Sequence, residues 1–169
     1  MIGKIFGILC TAAFFAIFFS MALAQEATPL HSSNAFQPVN YALPYPGILP
    51  GHPLYFIKRF RDLLLSLLIS NPVRKVEFYI LMADKHLSTG VVLKEKGEIE
   101  LAFKSWQDSV NYLTKGKAIL FTSKSKFDNN LKDRYKRAVI GHQEVLKLQV
   151  GEEASVYKQI QDLAKDFPE

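Results

Sequence analysis

Cysteine is almost absent from this chain. The 169 residues contain one, Cys10, which lies in an apolar run near the N-terminus. The preceding residues, Gly7-Ile8-Leu9, do not provide the small residue that a lipoprotein-type cysteine normally follows. The chain after this run therefore forms no disulfide and has no thiol for catalysis or metal binding.

The motifs of common catalytic sites are also missing. The sequence has no Gly-x-Ser-x-Gly, no glycine-rich phosphate loop and no His-Glu-x-x-His. Ser-x-x-Lys occurs at Ser123–Lys126 and at Ser155–Lys158. Its usual companion motifs are in the wrong order, however, and a helical chain lacks the sheet on which such a site is built. We predict a protein without enzymatic activity and without a cofactor.

One long hydrophobic run is present, at the N-terminus. Twenty uncharged residues, Ile5 to Ala24, follow Lys4 and end in Ala22-Leu23-Ala24 before the polar Gln25. This pattern is typical of a cleaved signal peptide, residues 1–24, and predicts a secreted or extracytoplasmic protein of the cell envelope. The alternative is an uncleaved membrane anchor, because 20 helical residues span about 30 Å, the thickness of a bilayer core.

Proline is concentrated in the next part of the chain. Six of the eight prolines lie between Pro29 and Pro53, so we expect extended, irregular backbone there. Residues 25–40 are polar and predict a flexible linker, whereas the segment from Tyr41 to Tyr55 mixes prolines with apolar side chains. It predicts a structural or interaction motif, which docks on its own domain or on a partner. The predicted motif residues are Tyr41, Leu43, Pro44, Tyr45, Pro46, Gly47, Leu49, Pro50, Pro53, Leu54, Tyr55, Lys58 and Arg61.

Hydrophobic periodicity after Pro53 is helical to the C-terminus, and no strand is indicated. The predicted helices cover about 54–70, 72–96, 98 to at least 120, 128–150 and 153–166. The first is so rich in Leu and Phe that we expect it to be buried on most sides. The third carries Ile99, Trp106, Leu113 and Leu120 at seven-residue spacing as a core seam. Residues 41–169 thus predict an all-α domain, an antiparallel bundle of three long helices with two shorter flanking helices.

Two histidines, His86 and His142, are placed at similar heights on parallel helices of this bundle. His142 lies among apolar positions, where an imidazole needs a hydrogen-bonding partner. The interpretation we favour is a satisfied core histidine and no metal site. The alternative is a metal pair formed by His86 and His142, for which a third ligand is missing because Asp108 points away from the predicted core.

Positive charge is unevenly distributed along the chain. The formal net charge is +5 at pH 7, and a basic cluster lies around the end of the third helix and the start of the fourth. The residues of this predicted basic pole are Arg74, Lys75, Lys115, Lys117, Lys124, Lys126, Lys132 and Arg134. Such a pole fits anionic lipid head groups or an envelope polyanion, or it is an ordinary solvated surface. Export argues against a nucleic-acid partner.

The run from Tyr41 to Lys58, with its Pro-Gly-x-x-Pro-x-x-Pro-Leu-Tyr-x-x-Lys core, resembles a bacterial family of exported helical domains. Ala83-Asp84-Lys85-His86-Leu87 continues the likeness, although His86 stands where the family pattern has arginine. The family is catalogued as domain of unknown function 5667. The resemblance implies a helical fold and an extracytoplasmic location, and it implies no activity.

Taken together, the sequence predicts an exported, non-enzymatic helical interaction or scaffold domain that binds a protein partner or an envelope polyanion. The first alternative is an extracytoplasmic sensor protein that binds a metal or an anion. The second is a membrane-anchored envelope protein, which requires that the N-terminal helix is retained.

Overall fold

The computed structural model describes residues 41–122 and 127–165, and all of its regular elements are helices. They are α1 (Tyr55–Leu68), α2 (Pro72–Glu95), α3 (Ile99–Thr122), α4 (Asn129–Val150) and α5 (Ser155–Lys165). No strand is present in these two ranges. The prediction of an all-helical fold with three long and two shorter helices is confirmed. The predicted signal peptide and linker, residues 1–40, lie outside the described residues.

Local sequence signals set the ends of the long helices. The Asn71 side chain accepts a hydrogen bond from the backbone N–H of Arg74 (3.1 Å), and Pro72 occupies the first turn of α2, where its missing N–H costs nothing. Gly97 and Gly151 follow α2 and α4, and both have φ of +79°. Glycine adopts this left-handed conformation without strain, so each residue ends its helix where the sequence predicts.

The core lies mainly between α2 and α3, with α4 and α5 packed against them. Trp106 of α3 is 1% exposed, and its indole ring lies directly against Gly90 of α2, where a Cβ would collide with it. Leu113 is fully buried one heptad later. Ile99, in contrast, is 48% exposed, because it is the first residue of α3 and lies beside the α2–α3 turn. The predicted seam is therefore correct at its centre and wrong at Ile99.

Helix α1 contradicts the prediction that it is buried on most sides. Its large apolar side chains are 41–74% exposed, whereas Asp62, at 6%, is its only buried residue. The composition indicated burial but not which side of the helix faces the bundle. The polar side chains Lys58, Asp62 and Ser66, here called the polar arc, face the bundle. There the Ser66 and Tyr79 hydroxyls lie 3.4 Å apart.

Candidate functional site

The proline segment, Tyr41–Tyr55, docks on the chain's own helices. The Tyr41 ring lies against Gly141 of α4, where a Cβ would overlap it, and the Tyr41 hydroxyl donates a hydrogen bond to Asp84 Oδ1 of α2 (2.6 Å). Leu43 and Leu49 pack against the core. Tyr45, at 80% exposed, takes no part in this contact. The segment is therefore docked on its own domain at Tyr41, Leu43 and Leu49, whereas the Tyr45 side chain is exposed at the surface.

His142 completes a small polar cluster beneath Tyr41. Its side chain is fully buried, with Nδ1 2.7 Å from the carbonyl oxygen of Ala138 and Nε2 3.7 Å from Asp84 Oδ1. The Tyr41 and His142 rings meet edge to face, with centroids 5.7 Å apart. Burial lowers the pKa of His142 and raises the pKa of Asp84. A neutral imidazole that donates from Nδ1 to Ala138 is thus the form that the fold stabilises.

We expect the protein to lose stability as the pH falls from about 8 to about 5.5, around the ordinary histidine pKa of about 6.5. Burial lowers the pKa of both His142 and His86, so the unfolded chain binds more protons in this window and protonation favours unfolding. Melting temperatures at the two pH values measure the effect. The His86→Gln variant shows how much of the effect remains with His142 alone. A melting temperature of the unsubstituted protein that is the same at both pH values would contradict the prediction. The raised pKa of Asp84 acts in the opposite direction, at lower pH.

A lysine of α1 fixes the middle of the proline segment. Lys58 Nζ donates hydrogen bonds to the carbonyl oxygens of Pro46 (2.8 Å) and Ile48 (3.0 Å), and burial lowers its pKa. Arg61, another predicted motif residue, binds Asp62 Oδ1 through Nη2 (2.8 Å) and Nε (3.0 Å). The Lys58 hydrogen bonds tie the segment to α1, whereas the Arg61–Asp62 pair lies within α1. Pro53 and Leu54 are exposed.

A polar cavity of about 350 Å³ separates α1 from α2 and α3. From α1 it is lined by Tyr55, Lys58, Arg59, Phe60, Asp62, Leu63 and Ser66, and from the bundle by His86, Asp108, Asn111, Tyr112 and Lys115. His86 stacks on Tyr112, with ring centroids 5.3 Å apart, and Lys115 Nζ lies 5.2 Å from the centre of the same ring. Cationic, anionic and aromatic groups therefore line one cavity, which is partly open to solvent.

The apolar side chains of α1 form a continuous surface, of which Phe60 and Leu63 also border the cavity. At about 100° per residue, seven large side chains share one arc of about 140°. We call this arc the outward face of α1; it consists of Phe56, Ile57, Phe60, Leu63, Leu64, Leu67 and Leu68, all of them exposed. Arg59 lies at one edge of the arc and Arg61 at the other.

The residues of the predicted basic pole contact different neighbours in the structure. Lys115 lines the polar cavity, whereas Lys117 Nζ donates to the carbonyl oxygen of Leu163 in α5 (3.3 Å). Arg134 Nη1 lies 3.5 Å from Glu77 Oε1 of α2. Arg74 and Lys132 are exposed and Lys75 is half-buried, while Lys124 and Lys126 lie outside the described residues. The basic pole stays a prediction, since these contacts do not test whether its side chains share one surface.

The two histidines of the proposed metal pair have different neighbours. His142 belongs to the cluster with Tyr41 and Asp84, and His86 lies in the polar cavity beside Tyr112. Within the described part of the chain, no three His, Cys, Asp or Glu side chains are grouped as metal ligands. Among the helices of the same residues, none is long and apolar enough to cross a membrane.

The sequence alone did not indicate the polar cavity. Asp108 does point away from the core seam, as predicted, but α1 covers that side of α3 and turns an outward position into a cavity wall. The cue in the sequence was the polar stripe of Lys58, Asp62 and Ser66 on an otherwise apolar helix. No family model matches the chain, and no curated protein or solved structure is significantly similar to it.

Proposed function

We propose that this chain is an exported, non-enzymatic helical interaction domain that binds an anionic lipid surface through the outward face of α1. The observation that carries the proposal is the exposure of seven large apolar side chains in one unbroken arc. A monomeric soluble protein rarely leaves a contiguous apolar patch of this kind in water, and such patches mark surfaces that bind a membrane or a protein.

The pattern of side chains favours a lipid surface as the partner. Helices that lie in a membrane interface combine Phe and Leu on one face with Arg or Lys beside it. In α1 the apolar arc is bordered by Arg59 and Arg61, both exposed, and α1 ends only three residues before α2, whose first turn carries Arg74. Long basic side chains can keep their charge at the head groups while their stems cover apolar surface.

The N-terminal apolar run, residues 5–24, would provide a second attachment to the lipid surface if it is retained. Sixteen residues separate Ala24 from Tyr41, where the docked proline segment begins, enough to reach about 55 Å when extended. Stable attachment to a bilayer generally needs two signals, because a single weak one gives reversible binding. A retained run would hold α1 close to the membrane, and a cleaved run would leave reversible binding through α1 alone.

We expect the protein to bind vesicles that contain phosphatidylglycerol, and to bind less to pure phosphatidylcholine because the flanking arginines lose their electrostatic attraction. The Phe56→Gln, Leu67→Gln double variant should weaken binding at least about tenfold, since burial of each side chain contributes roughly 1.5–3 kcal/mol. Both side chains lie outside the polar cavity. Flotation of protein that lacks residues 1–24 measures binding without the apolar run.

The matched control is Ile140→Gln, Leu148→Gln, which changes two exposed apolar side chains of α4. It should leave vesicle binding unchanged. Equal weakening by both pairs, or no binding to either vesicle, would contradict a lipid partner. In that case a photo-crosslinker at Leu67 in the producing cell tests for a protein at the same face, and a crosslinked second copy would identify self-association.

A further inference from the structure

The polar cavity beneath α1 has the size of a small-molecule site. Its volume of about 350 Å³ falls at the lower end of the range for ligand pockets, roughly 300–1,000 Å³. It exists because α1 turns its polar arc toward α2 and α3. A merely structural contact would normally pair these polar groups with one another.

Two of the charged groups are already used by the fold. Lys58 Nζ donates to the carbonyl oxygens of Pro46 and Ile48, and Asp62 accepts both hydrogen bonds from Arg61. These contacts hold the proline segment on α1 and neutralise the buried carboxylate. Neither group needs a ligand.

Three other charged groups are not paired. Arg59, Lys115 and Asp108 make no ion pair or hydrogen bond with any residue in the described ranges, although Lys115 lies over the Tyr112 ring. His86 Nδ1 is buried and also lacks a hydrogen-bonding partner there. Buried polar atoms are nearly always satisfied, because a missing hydrogen bond costs about 1–3 kcal/mol. The unpaired His86 Nδ1 therefore points to a ligand, and the charged side chains of Arg59, Lys115 and Asp108, which solvent can reach, are free to bind it.

The unpaired charges are arranged along the length of the cavity. Asp108 and Lys115 are seven residues apart on α3, which places them about 10 Å apart along the helix axis. Arg59 and Asp108 share one end, since both also line a smaller adjoining cavity of about 40 Å³. Tyr112 and His86 form the wall between that end and Lys115.

We propose that this cavity binds a small acidic amino acid, a ligand with two anionic groups and one ammonium group. Arg59, Lys115 and Asp108 together carry a net charge of +1, which such a ligand complements, and Lys58, bound to two neutral carbonyl oxygens, adds positive charge to the same cavity. Its ammonium group pairs with Asp108, and its two carboxylates pair with Arg59 and Lys115. His86 Nδ1 supplies one further hydrogen bond. Phe60, Leu63 and Arg59 border both this site and the outward face of α1, whereas Phe56 and Leu67 of that face lie outside the cavity.

Calorimetric titration at low salt tests the proposal with three probes. L-Glutamate carries all three charged groups, glutarate lacks the ammonium group, and L-glutamine lacks the second carboxylate. We expect L-glutamate to bind at least about tenfold more tightly than either of the others, because each missing charge leaves one protein charge unpaired. The protein is used as isolated from the producing cell.

Two variants test which protein side chain binds which charged group of the ligand. Asp108→Asn should abolish the preference for L-glutamate over glutarate, and Lys115→Gln should abolish the preference over L-glutamine. Lys132→Gln, an exposed lysine outside the cavity, is the matched control and should change nothing. The Phe56→Gln, Leu67→Gln variant should keep L-glutamate binding, which separates this site from the lipid-binding face.

Three results would overturn the inference. The first is the absence of saturable L-glutamate binding at millimolar concentration, when circular dichroism shows that the protein is folded. The second is binding that Asp108→Asn and Lys115→Gln leave unchanged, because it would lie elsewhere. The third is equal binding of L-glutamate and glutarate, which would identify a simple anion site with no role for Asp108.

Discussion

Trp106→Ala should lower the free energy of unfolding by about 3–5 kcal/mol, the usual cost of removing a large buried aromatic side chain. The Trp106 side chain is 1% exposed, packs on Gly90 of α2 and meets the Phe103 ring edge to face. Because Gly90 has no side chain, it cannot itself fill the space that the indole leaves. Urea denaturation followed by circular dichroism measures the change.

Two further variants make this test specific. Phe103→Ala removes a neighbouring aromatic side chain that is 42% exposed, so its cost should be clearly smaller. Trp106→Phe keeps part of the ring volume and removes the indole N–H, which is buried without a hydrogen-bonding partner in the described residues. It should therefore cost less than Trp106→Ala. A Trp106→Ala effect below about 1 kcal/mol would remove the indole from the core and contradict the α2–α3 packing.

The parts of the fold that follow from local sequence were predicted correctly. Asn71-Pro72 starts α2, and Gly97 and Gly151 end α2 and α4, because capping and positive φ depend on one or two residues. The burial of Trp106 and Leu113 follows from spacing along one helix. These features need no information about distant parts of the chain.

The parts that depend on distant contacts were not predictable in the same way. Periodicity defined the apolar arc of α1, but its direction depends on whether the bundle offers better partners to Leu67 or to Ser66. The sequence predicted that His142 needs a polar neighbour. It did not identify Asp84 as that neighbour, because the two residues meet only when α2 packs against α4. The polar cavity depends on the direction of α1, since it forms only when the polar arc of α1 faces α2 and α3.

Tyr41→Ala should produce the second large loss of stability, about 2–4 kcal/mol, because it removes both packing and a hydrogen bond. The ring fills the space over Gly141 and covers His142, and the hydroxyl is the hydrogen-bond donor to Asp84 Oδ1. Without Tyr41, water reaches a cluster whose carboxyl and imidazole groups the fold otherwise shields. Thermal and urea denaturation of Tyr41→Ala measure the total effect.

Tyr41→Phe separates the two contributions, since it keeps the ring and removes only the hydroxyl. It should cost about 1–3 kcal/mol, the penalty for leaving the partly buried Asp84 carboxyl without its donor. Tyr45→Ala is the matched control within the proline segment, because its side chain is 80% exposed, and it should be neutral within about 0.5 kcal/mol. Amide hydrogen exchange gives an independent measurement, in which Tyr41→Ala should speed exchange in the α4 turn around His142. If Tyr41→Ala and Tyr45→Ala have equal, small effects, the segment does not dock on this domain, and its exposed tyrosines would instead be the first place to look for a partner's contact.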